Sequence, residues 1–157
     1  MQISLLCIGK TDDKEITSLI NYYLKRLPKH WNFEIVEIPD VKNARNLSSD
    51  LLRKEEAKLF MGYIDRTDLV LILDEKGKQF TSREFTQKID GWMNSSVKKI
   101  HLLIGGAYGF SDEIYSRANE KMSLSKMTFT HQMIRLFIVE QLYRADQILQ
   151  GKPYHND

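Results

Sequence analysis

The chain has 157 residues, 42% of them apolar and 28% charged, with a formal net charge of +2. That balance fits an ordinary globular domain and excludes a disordered polyelectrolyte, while the longest apolar runs, LVLIL and IHLLI, fall far short of the ~20 residues of a bilayer-crossing helix. The one cysteine, Cys7, excludes an internal disulfide framework and reads as a buried thiol in a reducing cytoplasm.

No charged region leads into an apolar stretch after Met1, so no secretory signal is expected. Residues 2–9 read as a buried strand, a short apolar run ended by glycine. Residues 12–27 read as a helix with Ile16, Leu19, Ile20, Tyr23 and Leu27 on one face, stopped by Pro28. A second strand is expected over residues 33–38, closed by Pro39. Residues 40–46 are polar and aperiodic and read as an exposed loop. Ser48 can cap a helix over residues 49–64, with Leu52, Leu59, Phe60 and Tyr63 among its apolar positions. A strand over 69–73, a loop over 74–80 and a helix over 82–94 follow. Residues 100–104 form another apolar strand. The turn of Gly105, Gly106 and Gly109 comes next, then a helix from Ser111 to residue 120, with Ser111 as its cap. Residues 124–129 read as short and extended. The last helix spans residues 131–150, capped by Thr130, with Met133, Ile134, Phe137, Ile138, Leu142, Ala145 and Leu149 on its buried face. Gly151 and Pro153 stop it.

Strands alternate with helices throughout. That order predicts an α/β domain with a parallel sheet and helices on both faces. No repeat, linker or low-complexity tract divides the chain, so a single domain over residues 1–157 is expected. A strand, a glycine turn and a helix start are the place where open α/β sheets bind ligands. The turn is G-G-x-x-G and not G-x-G-x-x-G, so the dinucleotide fingerprint is not met, and glycine here permits positive φ or close approach of a ligand.

The segments LLIGGAYGF, SLSKMTFTHQMIRLFIVEQLYRA and the tail PYH resemble the RlmH family, bacterial large-subunit ribosomal RNA pseudouridine methyltransferases of the SPOUT class. The opening strand ending in IGK, the stretches YLKRLP and FEIVEIPD, and LILDEKGK fit as well. The resemblance covers nearly the whole chain. It implies a SPOUT fold whose C-terminal part, about residues 69–157, is threaded as a deep trefoil knot. It also implies a homodimer in which each active site draws on both chains, with S-adenosylmethionine bound in the knot crevice. The implied product is N3-methylpseudouridine in 23S ribosomal RNA, made on assembled ribosomes in the cytoplasm. No metal and no membrane partner are implied.

Carried over by that resemblance, the cofactor contacts are Leu73, Gly105, Leu124, Ser125, Lys126, Met127, Thr128 and Phe129. The catalytic candidates are Arg144, Tyr154 and His155, which hold the target nucleotide and its proton path, and His131, which shapes the cofactor side. Glu140 and Arg144, four residues apart, share a helix face. Transfer of a methyl group to a ring nitrogen needs in-line positioning and a destination for the N3 proton. Family tails often end with a basic residue after the Tyr-His pair, and this one ends in Asn156 and Asp157. Lys10, Lys25, Arg26, Lys29 and His30, with Lys42, Arg45 and Arg53, are candidates for a phosphate-facing patch. Three alternatives stand beside this reading: a SPOUT enzyme acting on another RNA such as tRNA, a non-catalytic ribosome-binding module, and a flavodoxin-like nucleotide binder. The last is disfavoured by the single glycine in Gly9-Lys10-Thr11.

Overall fold

Ile3, Leu5 and Cys7 alternate with Ser4 and Leu6, and a strand sends such alternating residues to opposite faces. In the computed structural model, which describes residues 1–156, that stretch is β1 (Gln2–Ile8). The chain continues through α1 (Lys14–Leu24), β2 (Phe33–Ile38), α2 (Ser49–Met61), β3 (Leu69–Gln79), α3 (Ser82–Met93), β4 (Lys99–Ile104), α4 (Asp112–Arg117), β5 (Glu120–Ser123) and α5 (His131–Leu149). The strands pair in the order β2-β1-β4-β3-β5, every pairing parallel. One register row crosses the sheet through Ile35, Leu5, Leu102, Leu71 and Glu120.

Parallel strands need crossover connections, and the helices that make them cover both faces. Against one face, Ile3, Leu5, Cys7, Leu71, Ile100 and Leu102 pack with Ile20 of α1, Phe85, Ile89 and Trp92 of α3, and Ile138, Val139 and Leu142 of α5. Against the other, Leu6, Val70, Ile72 and Leu103 meet Ala57 and Phe60 of α2, Phe110, and Ile114 of α4. Helix α5 lies against both α1 and α3.

Side-chain caps fix where the helices start. Asp13 accepts the Ile16 amide, Ser48 the Leu51 amide, and Thr130 the Met133 amide. Thr81 and Glu84 form a reciprocal capping box on α3. Ser48 and Thr130 thus act as the sequence predicts.

Four expectations are corrected. Of the stretch 74–80, expected as a loop, residues 74–79 are the second half of β3. Its register with β5 jumps from Leu73↔Met122 to Lys78↔Met122, so the residues between them bulge. A Cβ on Gly77 would lie 2.5 Å from the Met122 carbonyl carbon, so only glycine lets the two backbones meet there. Residues 120–123, the first of them expected to end a helix, are the edge strand β5, while residues 124–129 leave the sheet as bends and coil. Helix α4 is only Asp112–Arg117, and the Ser111 hydroxyl makes no cap bond. Leu149, placed on a buried face, is 40% exposed; Leu19, on the apolar face of its helix, is 49% exposed, and Tyr63, expected within a helix over 49–64, lies beyond the end of α2 and is 46% exposed. The buried stripes of α2 and α5 admit Glu56 in the first and Arg135, Asp146 and Gln147 in the second. Asn156 is exposed, and the Asp157 of the unusual terminus lies outside the described residues.

Candidate functional site

A cleft of about 820 Å³ opens at the C-terminal ends of β3, β4 and β5, the end of an open α/β sheet where ligands collect. One wall is Leu73 of β3 and the turn after β4. In that turn the Gly109 amide donates to the Gly106 carbonyl at 3.1 Å. Only Gly109 takes positive φ, +76°, so the expectation of left-handed backbone holds for one of the three glycines. Gly105 is glycine for space: a Cβ there would lie 3.1 Å from the Gly109 carbonyl carbon. Phe110 then turns inward under the sheet and anchors the loop.

The facing wall is the segment between β5 and α5. The Ser123 hydroxyl donates to the Ser125 carbonyl at 2.7 Å, and the Ser125 hydroxyl accepts the Met127 amide at 3.0 Å. These two bonds fix a backbone that no sheet partner holds. Phe129 packs edge-on against Phe137 of α5 with ring centres 5.1 Å apart. Met127 is 75% exposed and Phe129 40%, so the wall presents apolar surface to solvent. His131 opens α5 at the cleft edge. Desolvation of its ring, with the nearby Arg135 guanidinium, holds its pKa below 6.5, so the imidazole is neutral at neutral pH.

At the mouth, Tyr115 of α4 donates to Asp74 of β3. Burial, then this bond and the Asp74 charge, push the Tyr115 phenol up to about 12. Ser111 also lines the cleft, and its buried hydroxyl has no hydrogen-bond partner among the described residues.

A second cluster forms where the tail folds back on α5. Arg144 Nη2 donates to Glu140 Oε1 at 2.6 Å, and Tyr154 Oη donates to the same oxygen at 3.1 Å. Arg144 Nη1 approaches His155 Nδ1 at 3.1 Å. Because arginine always donates, Nδ1 accepts and the imidazole proton sits on Nε2. The Tyr154 ring lies edge-on to Tyr143, centroids 4.9 Å apart, and under the Arg144 guanidinium, also 4.9 Å away. Burial opposes charge on Arg144, but the Glu140 bond and charge outweigh it and raise its pKa. Burial and the hydroxyls and carboxylate of Tyr23 and Glu140 push the Tyr154 phenol well above its ordinary value.

The structure therefore sorts the sequence-derived residues into two places. Leu73, Gly105, Leu124, Ser125, Met127, Thr128, Phe129 and His131 line one cleft. Lys126 does not; it is exposed. Arg144, Tyr154 and His155 sit together with Glu140, outside that cleft. From His131 to Arg144 is 144 − 131, or 13, residues of α5, which at 1.5 Å per residue is about 20 Å. The basic candidates divide too. Lys10 precedes α1 whereas Lys25 and Arg26 follow it, and Arg53 lines the cleft mouth. Sequence reading missed Asp74 and Tyr115 at the mouth and Glu56 beneath the turn. Glu56 had a signal, since it lies one helical turn from Leu52 and from Phe60 on the buried side of α2.

Among the described residues no helix is long and apolar enough to cross a membrane, and no group of three or more His, Cys, Asp or Glu could hold a metal.

A parallel α/β sheet whose strand ends open into one deep cleft, walled by a glycine turn and a looped segment, defines a small-ligand-binding α/β protein. A family model described as "Predicted SPOUT methyltransferase" matches residues 1–155. The chain is 52% identical over 156 residues to the Ribosomal RNA large subunit methyltransferase H of Cytophaga hutchinsonii, covering 99% of this chain and 100% of that one. It is 49% identical over 156 residues to the protein of that name from Christiangramia forsetii, covering 99% of each. The Parabacteroides distasonis protein of that name is 45% identical over 157 residues, the full length of both. The chain belongs to the SPOUT methyltransferase family.

Proposed function

We propose that this enzyme methylates N3 of a pseudouridine in 23S ribosomal RNA, using S-adenosylmethionine, on assembled ribosomes in the bacterial cytoplasm. It works as a homodimer of single-domain chains, each knotted over about residues 69–157. The relatives carry the name of a large-subunit ribosomal RNA methyltransferase along their full length. The knot rests on the family resemblance.

The cleft suits the cofactor. Its volume of about 820 Å³ lies within the range of small-molecule sites, ~300–1,000 Å³. Exposed Met127 and Phe129 and the side of Leu73 offer apolar cover for a flat heterocycle. The orphaned Ser111 hydroxyl and the main chain of Leu124 and Thr128 offer polar groups to its edge. When bound, the cofactor supplies an electrophilic methyl carbon on a sulfonium centre.

The observation that carries the dimer is the separation along α5. On one helix His131 at the cleft edge and Arg144 lie about 20 Å apart, and Glu140, Arg144, Tyr154 and His155 all lie outside the lining of their own chain's cleft. A second copy that lays its tail cluster over this cleft completes the site. There the N3 proton passes to solvent water, and Arg144, held cationic by Glu140, offsets the negative charge that develops on the target nitrogen. Tyr154 stays protonated at neutral pH and orients the base as a donor. His155 stands beside them, its Nδ1 engaged by Arg144. Neutral His131 flanks the cofactor without adding positive charge beside a sulfonium.

The test is methyl transfer to 70S particles, free 23S RNA and bulk tRNA, with the product nucleoside identified by mass spectrometry. Methylation of pseudouridine in 70S particles is expected. Methylation of tRNA alone would overturn the assignment, as would an unchanged methylpseudouridine level in a deletion strain.

A further inference from the structure

Helix α2 carries one carboxylate into the interior. Glu56 is 6% exposed, on the helix face that packs Ala57 and Phe60 beneath the sheet. Burying a carboxylate is costly unless something specific holds it. Its charged neighbour is another carboxylate, Asp40, and burial together with that charge raises the Glu56 pKa. What faces Glu56 favourably is main chain: the Gly106 amide donates to it. The fit is close, because a Cβ on Gly106 would overlap both carboxylate oxygens. Gly106 is therefore glycine because Glu56 occupies the space of its side chain. It is also the residue after Gly105 and the acceptor of the Gly109 amide, so its position sets the whole turn that walls the cleft.

We propose that Glu56 is a positioning residue for the cofactor: fixed by α2, its carboxylate holds the Gly105–Gly106 main chain at the height that makes it a wall of the cleft. This rests on the reading of that cleft as the S-adenosylmethionine site. Glu56 itself does not line the cleft, so it acts through the turn and touches neither cofactor nor RNA. A neighbouring helix thereby sets the cleft's shape, and the turn need not hold itself.

The experiment is calorimetric titration of the full-length protein with S-adenosylmethionine. The chains are wild type, Glu56→Gln, Glu56→Ala, Gly106→Ala and the Glu56→Ala/Gly106→Ala pair, with circular dichroism to confirm folding. Glu56→Ala is expected to weaken binding roughly tenfold or more, the scale of a lost hydrogen bond to a charged acceptor. Glu56→Gln keeps one acceptor oxygen and should recover most of that loss. Gly106→Ala should weaken binding in the wild-type background but add little once Glu56 is alanine, because the overlapping group is gone. On ribosomes, KM for the cofactor should rise by more than kcat falls. Glu56→Ala binding as tightly as wild type would overturn the inference, as would Glu56→Gln as weak as Glu56→Ala, or additive losses in the pair. If Glu56→Ala does not fold, a folded Gly106→Ala chain with unchanged affinity overturns it equally. Failure of the wild type to bind S-adenosylmethionine at all would instead bring down the reading of the cleft, and the inference with it.

Discussion

Tyr154 Oη and Arg144 Nη2 donate to one and the same atom, Glu140 Oε1, at 3.1 and 2.6 Å. That single oxygen ties the tail to α5. Tyr154→Phe removes the hydroxyl but keeps the ring against Tyr143 and Arg144. The lost hydrogen bond is worth about 1 kcal/mol, so the fold survives while the tail loosens. Methyl transfer to 70S particles should fall about ten- to a hundredfold, with S-adenosylmethionine affinity unchanged. An equal fall in cofactor affinity would show that the tail serves its own chain's cleft.

The separation along α5 makes a sharper demand. A chain defective in the cleft, such as Gly105→Arg, and a chain defective in the tail, such as Arg144→Ala, should each be inactive as a pure homodimer. Mixed, they form heterodimers with one intact cleft facing one intact tail. Random mixing should recover about a quarter of wild-type activity, since half of the dimers are mixed and each has one working site of two. Co-purified heterodimers without any activity would show that cleft and tail of one chain must both be intact, and would sink the composite site.

How much of this was legible in the sequence follows from what each segment buries. β1, β2 and β4 announce themselves because their residues are apolar or alternate against two covered faces. The second half of β3 does not: residues 74–79 are polar, and they stay in the sheet through a bulge that depends on Gly77 meeting the Met122 backbone. Nor does β5, where Glu120 and Lys121 occupy an edge strand that one neighbour alone holds. The cleft walls were found through long motifs rather than periodicity, since residues 124–129 have none. The grouping of Tyr154 and His155 with Glu140 needed the tail's path, which no local pattern encodes. Trp31, 1% exposed in a three-residue 3-10 turn, shows the same limit, for its burial comes from where the turn lands.

Beneath the sheet His101 bridges Ser4 Oγ at 2.6 Å and Asp68 Oδ2 at 2.9 Å. The trio has the residue types of a hydrolytic triad, but all three are buried, and Ser4 is 2% exposed. Its role is to satisfy polar groups inside the fold. Burial raises the Asp68 pKa, but the Asp65 amide and His101 outweigh it, leaving the carboxyl below 3.8. The native state thus binds this proton less tightly than the unfolded chain does. The stabilisation is complete above the unfolded value and is lost as pH falls through the folded one. Urea unfolding between pH about 5 and 3 should show wild-type stability falling with acid. Asp68→Asn should be about 1–3 kcal/mol less stable at neutral pH, with a shallower acid decline. An identical acid slope in the variant would remove Asp68 from the account.

Two glycines give opposite expectations for the same substitution. At Gly77 a methyl group would sit 2.5 Å from the Met122 carbonyl carbon, against backbone that cannot move without breaking the β3–β5 pairing. Gly77→Ala should cost about 1–3 kcal/mol or more, the scale of overpacking, and should also weaken cofactor binding, because Leu73 and Ser123 flank the same crossing. Gly91 lies within α3, exposed, with nothing within 4 Å of an added Cβ. Gly91→Ala should stabilise by about 0.5–1 kcal/mol through helix propensity and a less flexible unfolded chain. Thermal unfolding of both variants beside wild type checks the pair. A neutral Gly77→Ala would mean that the two backbones do not cross closely there, and the bulge in β3 would lose its reason.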